Sequence, residues 1–210
     1  MAVDQPLMTA WAAARSLARG LPMPVADSGG ARVDTGAADE RRRYVFAEPG
    51  EGLRALGAAI DEPHVALKLC RPAGDLLALL PPRWRISARS WVMGRDAPAE
   101  GRPAPLPAGY RLAVEQQRGI ACARIIDPAG RPVASGHAAE HGGVFIYDRI
   151  HVDEAHRRRG LGRALIAALA IRRRDPAARE VLTATAAGRA LYLTLGWRDL
   201  APYSTATIPG

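Results

Sequence analysis

The run Ile150-His-Val-Asp-Glu-Ala-His-Arg-Arg-Arg-Gly-Leu-Gly-Arg163 puts glycines and arginines at a point where an extended segment passes into a helical one. Helix N-termini present amide hydrogens without acceptors and the positive end of the helix dipole. Gly160 and Gly162 take away side chains that would keep an anion from that backbone. Arg157, Arg158, Arg159 and Arg163 add mobile positive charge around the same point. Together these features make a phosphate cradle. It is not a Walker loop, because G-x-x-x-x-G-K-[ST] is absent, and it is not the dinucleotide fingerprint, which needs three glycines in a parallel βαβ unit.

The elements that must position this run are legible in the second half of the chain. Residues 110–115 and 120–126 alternate as strands around a tight Gln-Gln-Arg-Gly turn. Asp127-Pro128-Ala129-Gly130 is a type I turn into a strand over 132–140, and Gly142-Gly143 turns the chain again into 144–152. The pattern predicts a four-stranded antiparallel meander. Leu161, Leu165, Ile166 and Leu169 then share one helix face, and the helix must stop at or before Asp175-Pro176. A strand at 181–185, a helix at 188–195 ended by Gly196, and two closing strands at 197–200 and 203–208 complete the half.

The spacing R-x-x-G-x-G after an antiparallel meander, read here as Arg157-Arg158-Arg159-Gly160-Leu161-Gly162, resembles the coenzyme A loop of the GNAT superfamily of N-acetyltransferases. The apolar strand end Ile150-His151-Val152 and the downstream Leu191-Tyr192-Leu193-Thr194-Leu195-Gly196-Trp197 are similar to two further signatures of that family. The resemblance covers about residues 110–208 and implies a mixed, mostly antiparallel twisted sheet flanked by helices, an α/β (α+β) fold. It implies acetyl-CoA as co-substrate and a small-molecule amine as acceptor. Backbone amides from Arg158 to Arg163, with Arg157 beside them, are then expected to hold the pyrophosphate. The Val152 backbone would pair with the pantetheine arm, the Ile150 N–H would polarise the thioester carbonyl, and Tyr192 would protonate the departing thiolate.

Attack by an amine needs a base, since an amine at pH 7 is mostly protonated. Asp148 is the first choice, because two-residue alternation puts it on the strand face of Ile150 and Val152, near where family members often place a base. Glu140 and His137 on the preceding strand are weaker candidates. The chain departs from the family pattern in three places. Glu154 stands where proline is common, and Thr185 stands where an asparagine often orders the cofactor side of the last helix. Only a short turn separates Glu115 from Gly119, where the family inserts two helices that wall the acceptor pocket. The first hundred residues are the expected source of a replacement wall.

That first half has no motif that names a chemistry. A helix is expected over residues 7–17, closed by Gly20 and Pro22, and further helices over 52–60 and 74–80. Strands are expected at 31–34, 43–46, 64–69 and 83–92. A Pro/Gly-rich stretch from Arg95 to Gly109 reads as a linker, giving an N-terminal α/β subdomain (1–98) packed beside a catalytic domain (99–210). No internal repeat is visible in the sequence. A decayed copy of the second half within the first would show itself as a similar meander.

The 210 residues are 48% apolar, enough for a core. No run approaches the ~20 apolar residues that span a bilayer, and the acid-poor, Arg-bearing start reads as a surface helix, so a cytoplasmic protein without a membrane partner is expected. Cys70 and Cys122 have no partner motif, and the histidines form no metal-ligand cluster. The net charge is +8, carried almost wholly by arginine, since Lys68 is the single lysine. That charge suits a phosphate-rich cofactor, an acidic substrate or nucleic acid. No helix-turn-helix, zinc finger or aromatic-studded basic strand supports the last. The alternatives to a small-molecule acetyltransferase are an acetyltransferase of protein amines and a non-catalytic acyl-CoA-binding or sensing module. A homodimer is compatible with either.

Overall fold

The computed structural model describes residues 3–95 and 105–210. The first half opens with α1 (Gln5–Arg19), whose N-cap Asp4 accepts from the Leu7 amide at 2.9 Å and whose end is turned by Gly20 in the left-handed region. There follow β1 (Val25–Asp27), β2 (Gly30–Asp34), β3 (Arg42–Phe46), α2 (Glu51–Ala59), β4 (Val65–Leu69), α3 (Ala73–Leu77) and β5 (Arg85–Arg95). β1, β2 and β3 are antiparallel neighbours, and the crossover through α2 lays β4 parallel to β3. Only the short β1 was not anticipated by the pattern of the chain.

The second half contains the expected meander, β6 (Arg111–Gln117), β7 (Ile120–Ile126), β8 (Pro132–His141) and β9 (Val144–Val152). The turn between β7 and β8 is held by Asp127, whose Oδ1 accepts from the Ala129 and Arg131 amides at 2.9 Å each. After β9 come α4 (Leu161–Ala170), β10 (Arg179–Ala184), α5 (Ala186–Thr194) and β11 (Arg198–Thr207). The two closing strands expected at 197–200 and 203–208 are one strand. β11 runs through Ala201-Pro202 with a register shift against β5, the kind of irregularity that lets a proline sit in a sheet.

The eleven strands of the described residues form a single sheet in the order β1-β2-β3-β4-β11-β5-β10-β9-β8-β7-β6. Apart from the extra edge strand β6, this order reads the same from both ends when β1 to β5 are matched in turn with β7, β8, β9, β10 and β11. Each half therefore has an antiparallel run, a parallel crossover through a helix, a second helix and a last strand. Each last strand is inserted in the other half: β11 lies beside β4, and β5 lies beside β10. The boundary expected at 98/99 falls outside the described residues. The interleaved strands join the two halves into one sheet.

α1 is the element that ties both halves to one core. Leu7, Met8, Trp11, Ala12, Ala14 and Ala18 recur at helical spacing and are all buried. They pack on Ala31 and Val45 of the first half, on Ala139, Val144, Ile146 and Val181 of the second, and on Tyr203 of β11. On the opposite side α4 buries Leu161, Leu165, Ile166 and Leu169 against Ala123, Ala138, Phe145 and Tyr147. Burying each large side chain contributes about 1.5–3 kcal/mol. α1 thus packs on strands of both halves.

Candidate active site

The site begins where two parallel strands separate. β10 pairs with β9 only from Arg179↔Val144 to Val181↔Ile146, after which β10 stays with β5 and β9 runs on alone to Val152. One edge of β9 from Asp148 to Val152 is left without a ladder partner on that side. Within the same stretch β9 bulges: Arg149 adopts φ 52° and the register against β8 shifts between His137↔Asp148 and Ser135↔His151. Gly136 faces the bulge, because a side chain there would overlap Ile150 Cδ1.

The bulge changes which way the side chains point. Ile150 and Val152 pack with the α4-side core, whereas Asp148 turns to the α1 side, where Arg19 Nε lies 2.6 Å from its Oδ2 and Arg15 Nε 3.4 Å from its Oδ1. The expectation that Asp148 shares a face with Ile150 and Val152 is corrected accordingly: strict two-residue alternation fails across an inserted residue. Burial acts to raise the Asp148 pKa, but the hydrogen bond and charges of Arg19 and Arg15 outweigh it and hold the carboxyl below its ordinary range. Glu140 is occupied elsewhere, its Oε2 accepting from the Arg174 amide at 2.9 Å and the Asp175 amide at 3.3 Å. His137 stands opposite Asp148 in the ladder, its Nδ1 buried without a hydrogen-bond partner among the described residues. Burial, helped by the charge of Arg149, lowers its pKa, so the ring is neutral at pH 7.

Past β9 a short 3₁₀ turn (Glu154–His156) leads into the glycine loop. Arg158 (φ 62°) and Gly160 (φ 80°) are both left-handed, which turns the chain sharply enough to start α4 at Leu161. No atom lies within 4 Å of the place a Gly160 side chain would occupy, so this backbone faces open space. A side chain on Gly162 would instead come 2.9 Å from Leu191 Cδ2, where α4 and α5 touch. The first amides of α4 have no intrahelical acceptor and face the same space. Arg159 folds back as a brace, its guanidinium 3.0 Å from the Tyr110 hydroxyl, which itself lies 2.7 Å from His156 Nδ1.

α5 closes the far side. Thr185 is its N-cap and accepts from the Gly188 amide at 3.3 Å, so here the residue found in place of the family's asparagine orders the helix start. Tyr192 is buried on α5, its ring tilted against Trp197 with centroids 5.8 Å apart. Burial, with the charge of Asp148 adding, raises its phenol above the ordinary range, so it is protonated at neutral pH.

These elements enclose a cleft of about 650 Å³. Ile150, His151, Val152, Arg157, Arg158, Gly160, Leu161, Gly162, Arg163, Thr185 and Tyr192 all line it. Arg159 and Asp148 do not. Arg157 Nε currently holds the Val152 carbonyl at 3.3 Å. Lining residues that sequence reasoning passed over are His156, Ala187, Gly188, Ala190, Leu191 and Thr194. For Gly188 and Ala190 the available signal was their smallness beside Thr185. Arg15 and Arg19 were also passed over; their i, i+4 spacing is a helical stripe, but nothing local tells that it points to a strand of the other half. No group of metal-ligating side chains occurs among the described residues, and no described helix is long and apolar enough to cross a membrane.

Comparison with known proteins agrees with this geometry. Residues 109–199 match the family model described as "Acetyltransferase (GNAT) domain". The matched stretch runs from the start of the meander to the start of β11 and contains the glycine loop and Tyr192. No curated protein matches it in sequence. Among solved structures, a GCN5-related N-acetyltransferase from Kribbella flavida is similar with a TM-score of 0.67 at 21% identity, over 100% of this chain and 97% of that one. A GCN5-related N-acetyltransferase from Sphaerobacter thermophilus gives 0.55 at 15% identity, over 100% and 96%. A tandem GNAT protein from the clavulanic acid biosynthesis pathway gives 0.57 at 14% identity, over 86% and 79%. The whole chain, first half included, shares the fold of these proteins.

Proposed function

We propose that this protein moves an acetyl group from acetyl-CoA to the primary amine of a small molecule by direct attack. The observation that carries the reading is the convergence on one cleft of an open strand edge, a glycine-turned helix N-terminus and a protonated tyrosine. The residues fit coenzyme A in kind. The α4 amides with Arg157, Arg158 and Arg163 suit a pyrophosphate, and the free edge of β9 at Val152 suits the amides of a pantetheine arm once Arg157 releases the Val152 carbonyl. When bound, acetyl-CoA supplies an activated thioester.

The chain's own groups then have distinct tasks. The bulge at Arg149–Ile150 frees the Ile150 N–H to donate to the thioester carbonyl, a contribution a single donor can make worth ~3 kcal/mol. As the amine nitrogen bonds to the acyl carbon and the carbon–sulfur bond breaks, the Tyr192 hydroxyl gives its proton to the leaving sulfur. The amine proton passes to a base. His137, neutral and with an unpartnered ring nitrogen, suits that role better than Asp148, whose pairing with Arg19 makes it a weak acceptor.

Calorimetric titration with acetyl-CoA, beside Gly160→Glu, tests the reading. Micromolar binding lost in the variant supports it, with thiol release on adding amines as the following assay. No binding by the parent protein at near-millimolar ligand overturns it.

A further inference from the structure

The transfer chemistry leaves a group of buried charges under α1 unused. Arg15 and Arg19 reach down from the helix, Arg43 comes from β3 and Lys68 from β4, with Glu40 and Asp148 between them. Both carboxylates are already shared: Glu40 by Lys68 at 2.6 Å and Arg43 at 2.8 Å, Asp148 by Arg19 at 2.6 Å and Arg15 at 3.4 Å. Among the described residues four cations face two anions, which leaves two positive charges uncompensated in a cluster where side-chain exposures run only from 8% to 23%. Uncompensated buried charge is costly, and proteins keep it where a ligand completes the pairing.

Further observations point to a ligand. Tyr203 is 4% exposed, and its buried hydroxyl has no hydrogen-bond partner among the described residues. Its ring stands edge-on to Trp11, with centroids 5.8 Å apart, and the Arg15 guanidinium lies over that same Trp11 ring at 5.2 Å. Arg43 is 7% exposed, and its Nε, although close to Glu40, makes no hydrogen bond. Among the described residues, the ion pairing of Arg15 is the long contact to Asp148. Burial lowers Lys68 to about 8 against the opposing pull of Glu40, and the charges of Arg15 and Arg43 lower it further.

We infer that this recess receives an anionic group of the acceptor, so that the substrate is a small amine that also bears a carboxylate or phosphate, held by Arg15, Arg43 and the Tyr203 hydroxyl. The inference rests on the acyl-transfer reading. Asp148 ties the cluster to the strand that leads into the cleft: it lies on β9 two residues before Ile150, which lines the cleft. The cations sit too deep under α1 to track a nucleic-acid backbone, which needs exposed charge.

The test compares matched amines by thiol release in the presence of acetyl-CoA: β-alanine with β-alaninamide, and phosphoethanolamine with ethanolamine. In the parent protein the charged member of at least one pair is expected to exceed its neutral partner at least 10-fold in kcat/KM, and which pair does so separates carboxylate from phosphate. Arg15→Met should erase that ratio, Arg15→Lys should restore part of it, and neither should alter acetyl-CoA affinity, which also reports a folded protein. Equal use of charged and neutral amines, or an Arg15→Met loss shared equally by both, overturns the inference and leaves acyl transfer standing. If no amine is acetylated, calorimetry with N-acetyl-β-alanine against its amide decides: preferential binding of the anion supports the recess while the transfer reading fails, and no preference overturns the recess as well.

Discussion

The loops that follow β3 and β9 occupy matched places in the two halves, and both contain a G-x-G: Gly50-Glu51-Gly52 before α2 and Gly160-Leu161-Gly162 before α4. Only the second lines the cleft described above. The loop at 153–160 carries three arginines and turns through two left-handed residues, leaving its backbone facing the cleft. The loop at 47–50 is short, acidic at Glu48, and reaches α2 through an extended Gly50 (φ −167°). The β1–β2 turn fills the ground beside it: a side chain on Gly52 would run into the Ser28 carbonyl. The partner helices differ likewise, since α5 presents Tyr192 while α3 is a short Ala-Gly-Asp-Leu-Leu without a phenol. One topology thus gives one loop that faces a cleft and one whose ground is filled, and loop length, charge and a neighbouring turn decide which.

The sharpest way to break this comparison is a matched pair of variants. Gly160→Glu is expected to weaken acetyl-CoA binding at least ~100-fold, because the side chain enters the space the pyrophosphate needs and like charge opposes it. Gly50→Glu should leave binding unchanged, and titration should give one cofactor per chain. Two per chain would mean that the first half also binds. Next in size, Tyr192→Phe should lower kcat by about 10²-fold while acetyl-CoA affinity holds, the signature of a lost proton donor. Unchanged turnover would fit a packing role for the ring, and no turnover in either protein would fit a sensing module.

The glycines sharpen the comparison through stability. Gly52→Ala should cost roughly 3 kcal/mol in denaturant unfolding, the upper end for overpacking, because the clash is with backbone. Gly162→Ala meets only the tip of Leu191 and should cost less than about 1 kcal/mol.

The smallest effects concern pH. The first half holds Glu40 between Arg43 and Lys68, and α1 and β9 hold Asp148 between Arg19 and Arg15; both carboxyls are lowered. A lowered folded pKa contributes stability that is present above the unfolded value and lost as pH falls through the folded one, so both pairs weaken below about pH 4. Asp148→Asn should flatten the acid side of the Tm curve. Lys68 has the opposite form: at about 8 when folded against 10.5 unfolded, it lets the unfolded chain bind more protons between those values, so its contribution to stability rises with pH across pH 8 to 10.5. Lys68→Met should remove that rise relative to the parent protein.

Much of the second half was legible because its signals are local. The meander follows from alternation and turn residues, and the loop from glycines and arginines at fixed spacing, so β7 and β9 stand at the expected residues. Asp148 shows the limit. Its direction depends on a single bulged residue at Arg149, and its ionisation on arginines far away in sequence. The repeated topology was invisible for a similar reason: what the halves share is strand order and parallel crossover, which constrain backbone hydrogen bonding and only the apolar period of the side chains.

By itself, then, the sequence determined most of the strands and helices, where an anion can meet a helix N-terminus, and that a tyrosine follows at family spacing. Periodicity, turn chemistry and helix dipoles act over a few residues. Tertiary structure alone decided that β5 and β11 trade places, that β9 and β10 part beyond Ile146 and Val181, and that α1 carries Arg15 and Arg19 to Asp148. Those outcomes come from burying apolar surface shared by the two halves. No window of the chain contains the partners that settle it.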